Sequence, residues 1–142
     1  MKKYLKIILF SCLVGSILAG AFFFNIKEKV NARNKPILYA FQVGVFKNRD
    51  NANNFKARYT TARVLFDKEY YRVFIGITKD NKELLTSLFD AQNLSYYIKE
   101  IEVNNENFLE TIQKYDDLLT KTGEENKMMV IKNMLESMPN EL

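Results

Sequence analysis

Val43-Gly44-Val45-Phe46-Lys47-Asn48 and Ile75-Gly76-Ile77-Thr78-Lys79-Asp80 are one pattern written twice, 32 positions apart. The same shift carries Ala52 onto Leu84. Each copy runs strand core, strand-end glycine, lysine, helix-capping residue. Features that recur together in one order mark a duplicated unit more firmly than any single match. Working outward, Ile37–Phe46 is β-rich, with Phe41, Val43 and Val45 alternating on one face. Asn48 is a good N-cap, and Ala52, Phe55 and Tyr59 follow at helical spacing. Thr61–Phe66 reads as a second strand, Asp67-Lys68-Glu69 as a polar turn, and Tyr70–Thr78 as a third strand. Asp80 with Glu83 three residues on forms a capping box for a helix that buries Leu84, Leu85, Leu88 and Ala91. Ser95–Val103 reads as a fourth strand.

The order β-α-β-β-α-β predicts an α+β fold. It is a ferredoxin-like βαββαβ sandwich, one antiparallel sheet with two helices on a single face. The other sheet face is then expected to be open, and alternation assigns side chains to it. Ala40 and Gln42 point out of strand one if Val43 and Val45 point in. Tyr70, Arg72 and Phe74 point out of strand three if Val73, Ile75 and Ile77 form its core face. Gln and Arg supply directed hydrogen bonds, and aromatic rings stack on sugars or bases. The bland alternative is that the C-terminal tail covers Phe74 and Tyr70.

Composition excludes much chemistry. The 142 residues contain no His and no Trp, and the single Cys is Cys12. The commonest general base and metal ligand is therefore missing, and no intramolecular disulfide can form. Non-catalytic binding without a cofactor is the expectation. The formal net charge is +4, but it is unevenly placed. Lys2, Lys3 and Lys6 precede an apolar run, and Lys27, Lys29, Arg33 and Lys35 follow it. Residues 37–103 are nearly balanced, and residues 104–142 are acidic. Cations beside a bilayer read anionic headgroups. No basic block stands on the soluble part, which argues against nucleic acid.

The apolar run Ile7–Phe24 carries no charge. About twenty residues at 1.5 Å each span roughly 30 Å of hydrocarbon. The expectation is a transmembrane helix within residues 1–24 and a linker over 25–36. Ala19-Gly20-Ala21 also offers a signal-peptidase cut, although Phe22-Phe23-Phe24 continue the apolar run beyond it. Cations on both flanks leave the orientation undecided.

Phe41-Gln42-Val43-Gly44-Val45-Phe46-Lys47-Asn48, followed by Ala52, resembles the first half of a SPOR (sporulation-related repeat) domain. Tyr71-Arg72-Val73-Phe74-Ile75-Gly76 is similar to its second half. The resemblance covers about residues 37–103. It implies a bacterial cell-membrane protein with a cytoplasmic N-terminus and an extracytoplasmic domain. Its implied ligand is peptidoglycan, favouring glycan strands stripped of their peptides, in cell division or sporulation. The implied glycan contacts are Gln42 and Arg72, with Tyr70 and Ile98 matching less closely. The sequence departs from the family pattern at Val45 and at Ile77-Thr78. The linker reaches at most about 40 Å, which would keep the domain near the membrane.

Residues 104–142 read as a helical tail. Phe108, Ile112, Tyr115 and Leu119 form one stripe, and Thr122-Gly123 breaks it. Met128, Ile131, Met134/Leu135 and Met138 form a second. The tail is either a hairpin packed on itself or on the domain, or a docking surface for a protein partner. Three functions fit these features. They are an anchored glycan binder, an anchored adaptor working through protein contacts, and an RNA binder of ferredoxin-like topology. The last wants stacking aromatics on the central strands, where strand one offers Gln42.

Overall fold

The computed structural model describes residues 35–140. Residues from Pro36 onward form one compact unit. Its elements are β1 (Ile37–Phe46), α1 (Arg49–Lys56), β2 (Arg63–Asp67), β3 (Tyr70–Thr78), α2 (Lys82–Ala91), β4 (Tyr97–Glu102), α3 (Glu106–Lys121) and α4 (Glu124–Glu136). The sheet is antiparallel with strand order β2-β3-β1-β4. The duplicated β-α-β unit therefore gives the α+β architecture its spacing predicts. The expected transmembrane segment lies outside the described residues. Among the described residues no helix is long and apolar enough to cross a membrane.

Helices α1 and α2 pack on one sheet face. Phe41 meets Phe89 of α2 edge-on at 5.2 Å. A Cβ on Gly76 would strike Phe89 and Leu85 at under 3 Å, so only glycine lets α2 come this close. At Gly44 a Cβ would strike the Phe46 ring of its own strand at 2.6 Å and crowd Phe55 of α1 at 3.1 Å. Phe55 itself is only half-buried, less enclosed than its helical spacing predicts. Asn48 caps α1 as expected, accepting from the amides of Asp50 and Asn51. The cap of α2 differs from expectation. Asn81 holds the N-cap position, and the carboxylate receiving the nearby amides is Asp116 of α3.

Simple alternation fails at two places. In the β1–β3 pairing Phe41 faces Gly76, Gln42 faces Phe74 and Gly44 faces Val73. Val43 and Ile75 are thus skipped, at equivalent points of the two repeats. An extra residue resets which side chains share a face. Val45 consequently pairs with Arg72, and Ile77 with Ala40. Both residues leave the helix-facing side on which alternation puts them.

The second correction is larger. The face opposite α1 and α2 is not open along its whole length. Helices α3 and α4 form a hairpin that packs over Leu38, Ala40, Leu65, Phe74 and Ile77. These residues and the hairpin's Ile112, Leu119, Ile131, Met134 and Leu135 are buried together. Arg63 of β2 ties the end of α4 down, donating to the carbonyls of Leu135 and Glu136 and to Asn140 Oδ1. The Phe66 amide donates to the Asn140 carbonyl at 3.3 Å. The unit from Pro36 onward has three layers: helices, sheet and a helical hairpin.

Candidate functional site

The hairpin stops short of the strand ends near the β2–β3 turn. Four strands present side chains on the uncovered part. Asp67 and Tyr70 pair across β2 and β3, and Arg72 pairs with Val45 of β1. Gln42 pairs with Tyr97 of β4, and Lys99, two pairs along that strand, is opposite Ala40. Val45 is 43% exposed and Tyr97 67%. Gln42, Tyr70, Arg72 and Lys99 are half-buried.

One hydrogen-bonded network organises this surface. Arg72 Nη1 donates to Gln42 Oε1 at 3.0 Å. Arg72 Nε donates to Asp67 Oδ2 at 2.6 Å, and Lys99 Nζ donates to the same oxygen at 2.5 Å. Asp67 and Lys99 sit on the two edge strands, so their ion pair spans both central strands. The Lys99 hydrogen bond, with Arg72 adding to it, holds the Asp67 carboxyl below its ordinary value, against the opposing effect of burial. Two cations share one carboxylate, which leaves the cluster with one positive charge. A cleft of about 330 Å³ opens beside it, lined by Asp67, Lys68, Glu69, Tyr70, Arg72 and Lys99. Lys68 in the turn takes a left-handed conformation with φ of 60°, which a non-glycine residue adopts at some cost.

The structure brings together three of the five site residues expected from sequence: Gln42, Tyr70 and Arg72. Phe74 shares their face but is 0% exposed beneath the hairpin, so no ligand reaches it in this fold. Ile98 pairs with Phe41 and therefore faces α1 and α2. Its neighbours Tyr97 and Lys99 take the exposed side. Sequence reasoning missed Asp67, Val45, Tyr97 and Lys99. The phase of β4 was the available signal: with Leu38 and Ile101 paired and inward, Tyr97 and Lys99 must share that face. Among the described residues no group of carboxylates or thiols could hold a metal ion.

Residues 35–88, somewhat over a third of the chain, match the family model described as SPOR domain. The match takes in Gln42, Tyr70 and Arg72 and ends within α2, before Tyr97, Lys99 and the hairpin. No curated protein matches the chain. Among solved structures the chain is similar to the solution structure of the peptidoglycan binding domain of the B. subtilis cell wall lytic enzyme CwlC. The identity is 26%, over 46% of this chain and 91% of that one, with a TM-score of 0.37.

Proposed function

We propose that this protein is a non-catalytic peptidoglycan binder, anchored by its N-terminal apolar run, whose domain reads glycan strands outside the bacterial cell membrane during division or sporulation. One observation carries the reading. The Gln42–Arg72 pair, inside the SPOR match, lies on the part of the sheet face that the hairpin leaves uncovered. Its chemistry suits a glycan. Arg72 and Lys99 donate to hydroxyl and carboxylate oxygens, Gln42 both donates and accepts, and the exposed Tyr97 ring offers a stacking face. Strands stripped of their peptides are the preferred form in this reading, because the resemblance to SPOR domains implies that preference. The adaptor alternative loses support, since the apolar stripes of α3 and α4 are largely spent against the sheet.

The test is sedimentation of the purified protein with insoluble peptidoglycan, untreated or treated with an amidase that removes the stem peptides. Binding should rise with amidase treatment. Gln42→Ala and Arg72→Ala should each weaken it at least roughly tenfold, a loss of about 1.4 kcal/mol or more, while circular dichroism still reports a folded domain. A folded protein that binds neither preparation would end the proposal.

A further inference from the structure

A second surface lies on the other side of the β2 edge. There α1 and the end of α4 run on either side of β2 and enclose a groove of about 600 Å³. Arg49, Asn53 and Lys56 form one wall, at a spacing that places them on a single face of α1. Lys132 and Glu136 of α4 line the other wall, and Ala62 and Val64 of β2 also line the groove. Arg63 is held at the groove by its bonds to the α4 carbonyls and Asn140. A second space of about 500 Å³ shares Arg49, Val64 and Asn140 with it and is lined also by Phe66 and Tyr71.

Four cations face one carboxylate along this groove. Glu136 is only loosely engaged, 4.0 Å from Lys132. Arg49 and Lys56 form no ion pair among the described residues and are exposed. The sheet-face cluster instead neutralises one of its two cations internally, through Asp67. Cations held along a polar trough in excess of its carboxylates attract an anionic ligand and align it.

We propose that this groove binds a non-nucleic phosphodiester polymer of the polyol-phosphate class. Three features choose that ligand. The cations lie on opposite walls of a concave trough, which a single chain can enter and a flat lipid surface cannot line. Two adjacent spaces share Arg49, Val64 and Asn140, which suits an extended chain better than one phosphate. The aromatic rings that line it are paired with neighbours, Tyr59 on Phe55 at 5.6 Å and Phe66 on Tyr71 at 5.1 Å, and none stands alone as a stacking platform for a base. The groove exists only because α4 flanks β2, and α4 lies outside the SPOR match.

The experiment uses the full chain in an uncharged detergent, titrated with a short glycerol-phosphate oligomer at several salt concentrations. Binding should weaken steeply with salt. The Arg49→Gln, Lys56→Gln double variant should lose roughly tenfold in affinity at low salt and about two in the slope of log affinity against log salt. Arg72→Ala should bind the oligomer as the unaltered protein does. Circular dichroism melts check that every variant is folded. No binding at low salt, or equal binding by a folded double variant, overturns the proposal, the latter placing the oligomer on other cations such as the N-terminal lysines. The polyol assignment also fails if a single-stranded DNA oligonucleotide, or phosphatidylglycerol vesicles, bind as tightly with the same loss in the double variant.

Discussion

Arg72 makes two bonds from one guanidinium, to Gln42 and to Asp67, and both fix its direction. A guanidinium aimed in advance loses less entropy when a ligand takes it up. Asp67 is the centre of this arrangement, and its depressed pKa has a stability consequence. A carboxyl with a lower pKa in the folded than in the unfolded state contributes stability above its unfolded value, near 3.8. That contribution is lost as pH falls through the folded value. Asp67→Asn should therefore melt below the unaltered protein at neutral pH, with the gap closing in acid. A gap that stays constant down to acid denaturation would mean that the ion pairs contribute nothing. Two aromatics on the same face should behave in opposite ways. Phe74→Ala removes a ring buried under the hairpin and should cost about 3–5 kcal/mol. Tyr97→Ala, at an exposed position, should shift stability by about 0.5 kcal/mol or less and weaken glycan binding instead. Urea melts with peptidoglycan sedimentation measure both.

At the scale of elements, Asp116 joins the hairpin to the β3–α2 connection. It is 1% exposed on α3 and lies against the start of α2. Its carboxylate accepts from the Thr78 hydroxyl at 2.6 Å and from the amides of Lys79 and Asp80, and its carbonyl accepts from Asn81. A carboxylate at a helix start satisfies amides that have no partner within the helix. Asp116→Ala leaves those donors buried without it and should cost about 2–3 kcal/mol in a thermal or urea melt. Ending the chain after Val103 should do more. It would expose Leu38, Phe74 and Ile77, and the shortened domain should aggregate or lose its cooperative melt. Unchanged stability of that shortened protein would show that the hairpin is not part of the core.

For the whole molecule, the sheet-face site lies toward the far end of β1 from Pro36. The eight steps from Ile37 to Val45 extend about 26 Å at roughly 3.3 Å each. An anchored protein would therefore carry the site away from the point at which its linker joins the domain. The proposed location has a direct check. A reporter active only outside the cytoplasm, fused after Leu142, should be active in cells. A cytoplasmic signal would remove the wall-binding function and leave the fold untouched.

The duplicated pattern by itself determined the strand and helix order, because strand-end glycines, caps and periodicity act over a few residues and need no distant partner. It placed Gln42, Tyr70 and Arg72 on one face for the same reason. Tertiary structure decided the rest. The skipped residues Val43 and Ile75 moved Val45 and Ile77 to the other face, and a register shift belongs to a pair of strands rather than to either alone. The fate of Phe74 depended on a hairpin more than 30 residues later in the chain. The apolar stripes of α3 and α4 showed that they must be buried, but a stripe does not name the surface that buries it. The Asp67–Lys99 pair and the basic groove between α1 and α4 arise likewise from residues brought together only when the sheet closes and the hairpin docks.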